Sequence, residues 1–82
     1  MKSSPNPFSQ NTIIEYQLSK EANVRLSIID LSGQEITTLI NENKPAGIYK
    51  IKFGANKLPA GTYICRIQAG EYIETKKLII LR

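Results

Sequence analysis

The side chains whose types and spacing could do chemistry are three glutamates, Glu35, Glu71 and Glu74, one thiol, Cys65, and two lysine pairs, Lys50 with Lys52 and Lys76 with Lys77. Two carboxylates facing one cleft can cleave a glycosidic bond, provided burial drives their pKa values apart. These glutamates instead fall in or beside short turns and on outward strand faces, where water keeps carboxylates ordinary. Cys65 stands between Tyr63 and Ile67 on the inward side of an alternating segment, so it reads as a small core hydrophobe with no base to activate it. With no histidine and a single cysteine, the chain has no internal disulfide, no Cys/His zinc site and no histidine-activated nucleophile. Its five glycines are scattered singly through turns and none opens a helix, which leaves no loop to cradle a phosphate. No catalytic residue, metal ligand or cofactor is expected, and the chain reads as a domain that is not an enzyme.

The lysines carry two readings. The net charge is +4, and such a surface attracts anionic partners; lysines on strands also keep sheet edges from pairing with strangers. Nucleic-acid binding needs exposed aromatics among the basic residues. Tyr16, Tyr49, Phe53 and Tyr63 fall on inward faces, so no nucleic-acid partner is expected.

A succession of strands must position all of these residues. Residues 12–18 alternate, with Ile14, Tyr16 and Leu18 on one side and Ile13, Glu15 and Gln17 on the other, the period of a half-buried strand. Val24, Leu26 and Ile28 repeat the pattern, with Arg25 and Ser27 outward, and residues 19–23 form the turn before them. In Asp30-Leu31-Ser32-Gly33 a carboxylate precedes the amides it can bind and a glycine follows, which marks a tight hairpin into a third strand, 34–40. Polar Asn41-Glu42-Asn43-Lys44 breaks that pattern. Pro45-Ala46-Gly47 then leads into a strand over 48–53, and after a loop-like stretch at 54–58, Pro59-Ala60-Gly61 leads into one over 62–68. Both tripeptides place a tyrosine two residues after the glycine, which reads as shared turn chemistry rather than a repeat unit. Ala69-Gly70 turns the chain into a last strand, 72–81, whose end, Leu78-Ile79-Ile80-Leu81, is apolar on both faces.

Six strands joined by turns predict a small all-β, antiparallel immunoglobulin-like sandwich, with a seventh strand near Asn11 or within 54–58 if there is one. At 82 residues only one core fits, burying roughly 60% of the unfolded surface. The longest apolar run is those four residues from Leu78, where a spanning helix needs about 20, so the domain is not expected to span a membrane. Lys2-Ser3-Ser4-Pro5 follows Met1 with no apolar run, so no targeting segment is expected at this N-terminus.

Asn6-Pro7-Phe8, the Asp30-x-x-Gly33-x-Glu35 hairpin and the Ala46-Gly47-x-Tyr49 turn are followed by Leu58-Pro59-Ala60-Gly61-Thr62-Tyr63 with Arg66. Then come Gln68-Ala69-Gly70 and Thr75-Lys76-Lys77-Leu78, running into an apolar end with Arg82. In this order and spacing, from Pro5 to Arg82, the sequence resembles the C-terminal sorting domain of the type IX (Por) secretion system, type A. Cys65 departs from the aromatic or aliphatic residue often found there, a difference of packing. Residues 1–4 lie outside the resemblance and are expected to be a linker or an added start; 5–82 are expected to form a single sandwich.

The resemblance implies a seven-stranded immunoglobulin-like sandwich at the C-terminus of a larger protein. That protein is exported to the periplasm by its own signal peptide and then across the outer membrane, to the cell surface or the medium. The implied partners are the outer-membrane translocon, a surface sortase-like peptidase that commonly removes the domain, with attachment of cargo to anionic lipopolysaccharide as one outcome, and the cargo domain on the N-terminal side. The expected recognition segment is Thr75, Lys76, Lys77, Leu78, Ile79, Ile80 and Leu81, offering a pairing edge or an apolar face; the other reading is that this strand merely completes the sheet. Asn6, Pro7, Asp30, Gly33, Pro45, Gly47, Pro59, Gly61 and Gly70 are expected to shape turns. Two other functions suit the same fold: a fibronectin-like adhesion or glycan-binding module appended to an extracellular enzyme, and a basic nucleic-acid-binding domain.

Overall fold

Alternating apolar and polar residues give most of the long segments, Glu35–Lys44 excepted, one apolar face, and two such faces closed on each other make the molecule. The computed structural model describes residues 1–55 and 58–81; Arg82 of the terminal motif and residues 56–57 of the 54–58 loop lie outside them. The strands are β1 (Lys2–Ser4), β2 (Asn11–Leu18), β3 (Ala22–Ile29), β4 (Glu35–Lys44), β5 (Gly47–Gly54), β6 (Gly61–Ala69) and β7 (Tyr72–Ile80). They form a three-stranded sheet ordered β1-β2-β5 and a four-stranded sheet ordered β4-β3-β6-β7, antiparallel at every pairing of named strands. The fold is the all-β sandwich that the alternation predicted. Among the described residues no helix is long and apolar enough to cross a membrane.

The inward faces meet in one core. Ile14, Tyr16, Leu18 and Phe53 of the smaller sheet pack against Val24, Leu26, Ile28, Tyr63, Cys65, Ile67, Leu78 and Ile80 of the larger one, with Phe8 and Ala55 closing it. Each fully buried large apolar side chain stabilises such a core by about 1.5–3 kcal/mol.

Three expectations change. The seventh strand is β1, paired through Lys2↔Glu15, Ser3↔Ile14 and Ser4↔Ile13, rather than a segment near Asn11 or within 54–58. Residues 41–44 do not break β4 but extend it along Ala22, Asn23, Val24 and Arg25. An edge strand exposed along most of its length tolerates polar residues that a central strand would not, and two register shifts in the β3–β4 ladder explain why β4 loses clean alternation. Ser27 does point outward, yet it is only 1% exposed, flanked in register by Thr38 and Arg66.

Local chemistry sets the turns. The Asp30 carboxylate accepts hydrogen bonds from the Ser32 amide (3.0 Å), the Ser32 hydroxyl (2.6 Å) and the Gln34 amide (3.0 Å), while the Gly33 amide donates to the Asp30 carbonyl. The two Pro-Ala-Gly-x-Tyr turns share one device: the Tyr49 hydroxyl donates to the Pro45 carbonyl, and the Tyr63 hydroxyl to the Pro59 carbonyl at 2.7 Å. Gly47 and Gly61 lie between them at φ of +155° and +150°, a conformation other residues rarely adopt. Gly70, in the β6–β7 hairpin, donates its amide to the Asn23 carbonyl.

Candidate functional site: the terminal strand and its edge

β7 pairs with β6 without a register break, from Gly61↔Ile80 to Ala69↔Tyr72, so its side chains alternate faces along the whole length. Leu78 and Ile80 point into the core at 0% and 1% exposure. Glu74 and Lys76 share that face toward its rim, opposite Ile67 and Cys65. Ile73, Thr75, Lys77 and Ile79 point outward; Ile73, Thr75 and Lys77 are exposed and Ile79 is half-buried. The expected segment 75–81 is thus divided by its pleat: Leu78 and Ile80 hold the sandwich together, and Thr75, Lys77, Ile79 and Leu81 face away from it.

One edge of β7 belongs to β6 and the other is partly occupied by the start of the chain. After β1 the chain leaves the smaller sheet and crosses to the larger one. The crossing is anchored by Thr12, fully buried, whose hydroxyl donates to the Pro5 carbonyl at 2.7 Å. With that proton engaged, the Ser3 hydroxyl is the donor in its 2.8 Å contact with Thr12. Phe8 then pairs in parallel with Ile80: its amide donates to the Ile79 carbonyl at 3.0 Å, and the Leu81 amide donates to the Phe8 carbonyl at 2.7 Å. The Phe8 ring is buried edge-on to Phe53 at 6.2 Å.

Asn6 extends this pairing with its side chain. Its Nδ2 donates to the Lys77 carbonyl at 2.7 Å and its Oδ1 accepts from the Ile79 amide at 3.0 Å. These are the two bonds that the Asn6 backbone would make if the parallel ladder continued one step back. A carboxamide carries the same donor and acceptor as a peptide group, so the side chain serves as a strand residue while the backbone turns away toward β1. Sequence reasoning placed Asn6 and Pro7 in a turn and missed this role; the signal available was an amide side chain beside Pro7, which has no N–H of its own to offer a ladder.

The outer face next to this edge is positive. On β3 and β4 the Arg25 guanidinium grips the Glu35 carboxylate at 2.7 and 2.9 Å, holding it below the ordinary carboxylate range, and the Thr38 hydroxyl adds a bond at 3.1 Å. Arg66 on β6 lies opposite Thr75, and Lys77 lies opposite Ile64 one step along; neither makes an ion pair among the described residues. Glu74 on the inner rim is pushed up by burial but pulled down further by the Met1 amino group at 3.1 Å and the Tyr72 hydroxyl at 2.9 Å, so its pKa ends below the ordinary value.

The candidate chemistry of the sequence is dispersed. Glu35, Glu71 and Glu74 do not converge on one cleft: Glu35 is on the outer face of the larger sheet, Glu71 in the exposed β6–β7 turn and Glu74 on the inner rim. Cys65 is 1% exposed and burial pushes its thiol up to about 12, so it is protonated and inert at neutral pH. Lys50 and Lys52 point outward from β5, where Lys50 and Lys2 flank Glu15 at 4.0 and 3.8 Å. Exposed pairs of this kind contribute about 0–1 kcal/mol each.

No curated protein matches the chain, and no solved structure matches it. A family model described as the secretion system C-terminal sorting domain matches residues 4–81, spanning β2 to β7 and the residues 6–8 that bind the β7 edge. A terminal strand locked into the core, hairpins set by Asp30 and by two Pro-Ala-Gly-x-Tyr turns, and a match that covers almost every residue lead to one conclusion: the chain belongs to the C-terminal sorting domains of the type IX secretion system, a family of sorting signals rather than catalysts.

Proposed function

We propose that this domain is the address by which the outer-membrane translocon takes up a cargo carried on its N-terminal side, that the translocon reads it through β7, and that a sortase-like peptidase removes it afterwards. Family membership itself carries the coarser statement, a type IX sorting signal that engages the secretion machinery and accompanies export to the cell surface or extracellular space. The observation that best supports β7 as the element read is its division of labour: Leu78 and Ile80 anchor the strand while Thr75 and Lys77 stay exposed. A receptor can grip the strand from outside without unfolding the sandwich, and backbone pairing with alternate side-chain contacts suits such a grip.

Residues 2–8 bear on where removal occurs. A peptidase needs extended, accessible backbone, whereas Lys2–Ser4 is paired with β2 and residues 6–8 are bonded to β7. The proposed scissile bond therefore lies upstream of both. The other reading, a fibronectin-like adhesion or glycan-binding module, draws little support, since of six aromatic residues Tyr72 alone is widely exposed, at 59%.

The test is the intact mass of a reporter fused ahead of residues 1–82 and recovered from the surface or medium of a type IX-competent host. Loss of the whole domain, with a new end upstream of Lys2, is expected. Recovery of the reporter at full length would contradict removal, and an end inside residues 2–8 would contradict the proposed position.

A further inference from the structure

We infer that the stretch of the β7 edge left open by the start of the chain, residues 73–77, takes an extended, acidic segment of its receptor as an added strand. The inference rests on the reading of the domain as a sorting signal and specifies the chemistry of what it meets. Because the β6–β7 ladder has no register break, backbone direction alternates strictly along β7. The Lys77 carbonyl, both Ile79 groups and the Leu81 amide point away from β6, toward Asn6 and Phe8. By the same alternation, both backbone groups of Ile73, both of Thr75 and the amide of Lys77 also point away from β6. None of these five groups has a partner among the described residues. An open run of this kind is a template for another strand, and its 73–77 span matches about five residues at 3.3 Å each.

The side chains around this run select the occupant. A strand added beside β7 sets its outward side chains next to Ile73, Thr75 and Lys77, with Arg66 behind Thr75 on β6. Among the described residues neither Lys77 nor Arg66 pairs with a carboxylate, and Glu35 on that face is held by Arg25. A carboxylate near Lys77 and Thr75 therefore completes the face, and an apolar residue two positions away covers Ile73, which is 56% exposed. A second copy of this chain brings a face of the same sign and is the poorer occupant. Asn6 and Phe8 set the limit of the site, because beyond Lys77 the edge is already filled.

The probe is an acetylated heptapeptide of threonines with glutamate at its second and fourth positions and valine at its sixth, so that one face presents two carboxylates and then an apolar side chain; it is titrated, with a lysine-for-glutamate control, into the isotopically labelled 82-residue chain and followed by NMR. Saturable shifts at the amides of Ile73, Thr75 and Lys77 are expected with the acidic peptide and not with the basic one. Thr75→Pro deletes an amide that β6 does not use, so the fold persists and binding is lost; Lys77→Glu weakens binding about fivefold, the scale of an exposed ion pair. No shifts at these amides, equal shifts with the basic peptide, or shifts that grow with protein concentration in the absence of peptide would each overturn the inference. An export assay separates it from the reading beneath it. Export of the wild-type fusion together with folded Thr75→Pro and Lys77→Glu fusions at equal levels defeats the inference alone, whereas failure of the wild-type fusion to leave a competent host defeats the sorting reading itself.

Discussion

Replacing Asn6 by alanine removes two hydrogen bonds that tie the start of the chain to its last strand and leaves every backbone bond of Phe8 in place. The bond to the Lys77 carbonyl is exposed, so water replaces it at little cost. The bond from the Ile79 amide is partly buried, and an amide left there without a partner bears most of the penalty. At about 0.5–1.5 kcal/mol net per bond, weighted toward Ile79, Asn6→Ala should destabilise the domain by about 1–2 kcal/mol. For a domain of this size that lowers the melting temperature by about 5–10 °C. Circular dichroism melts give the total, and amide hydrogen exchange locates it. Ile79 should lose protection while Leu81, whose amide donates to the Phe8 carbonyl, keeps it. Asn6→Asp retains an acceptor for Ile79 but sets a carboxylate oxygen against the Lys77 carbonyl, so Ile79 protection returns without full stability. A melting temperature within about 1 °C of the wild type, with Ile79 still protected, would refute the idea that the Asn6 side chain acts as a strand residue.

The two tyrosine turns should respond unequally. Tyr63→Phe loses a partly buried bond and about 1 kcal/mol in urea unfolding, while Tyr49→Phe loses an exposed one and only a few tenths, keeping its stack on Tyr16; equal losses would contradict this account. Asp30 and Glu35 sit below their ordinary values of 3.8 and 4.5, Asp30 through the Ser32 hydroxyl and then the turn amides, Glu35 through Arg25. A depressed carboxylate adds stability that is fully present above its unfolded pKa and is lost as pH falls through the folded one. The urea midpoint should therefore hold near neutrality and fall in the acid range below those values, and Asp30→Asn should lessen the fall; a midpoint that rises on acidification would contradict the sign. Cys65, pushed up to about 12 by burial, should alkylate only when the domain opens, so its labelling should follow the urea transition measured by circular dichroism, and fast labelling of the native protein would place the thiol outside the core.

Much of the sandwich was legible because strand alternation is local. Val24, Leu26 and Ile28 alternate with polar residues and reach 0% exposure; Tyr63, Cys65 and Ile67 share one face of β6 and are likewise buried. Asp30 and the two Pro-Ala-Gly-x-Tyr segments could be read as turns because their hydrogen bonds span no more than four residues. The parts that were not legible depend on distant partners. Lys2, Ser3 and Ser4 carry no strand pattern, and they are extended because β2 offers them an edge. Residues 41–44 look like a loop and pair because β3 continues beneath them. Asn6 meets Lys77 and Ile79 across 71 and 73 positions, a distance over which no local periodicity speaks. The terminal strand could be found from its apolar run, but its division into a filled and an open stretch of edge could not, because that division is set by residues at the other end of the chain.

The central claim, that this folded domain is a signal for export, is tested most directly by a fluorescent reporter carrying an N-terminal signal peptide ahead of residues 1–82. It is expressed in a type IX-competent host and in one lacking the translocon. Leu78→Ala, which removes a core side chain at a cost of about 2–5 kcal/mol, accompanies it as a folding control. Fluorescence at the surface or in the medium of the competent host alone, lost in the Leu78→Ala fusion, is the predicted result. Periplasmic retention of the wild-type fusion in both hosts, with the domain folded by circular dichroism, would contradict it.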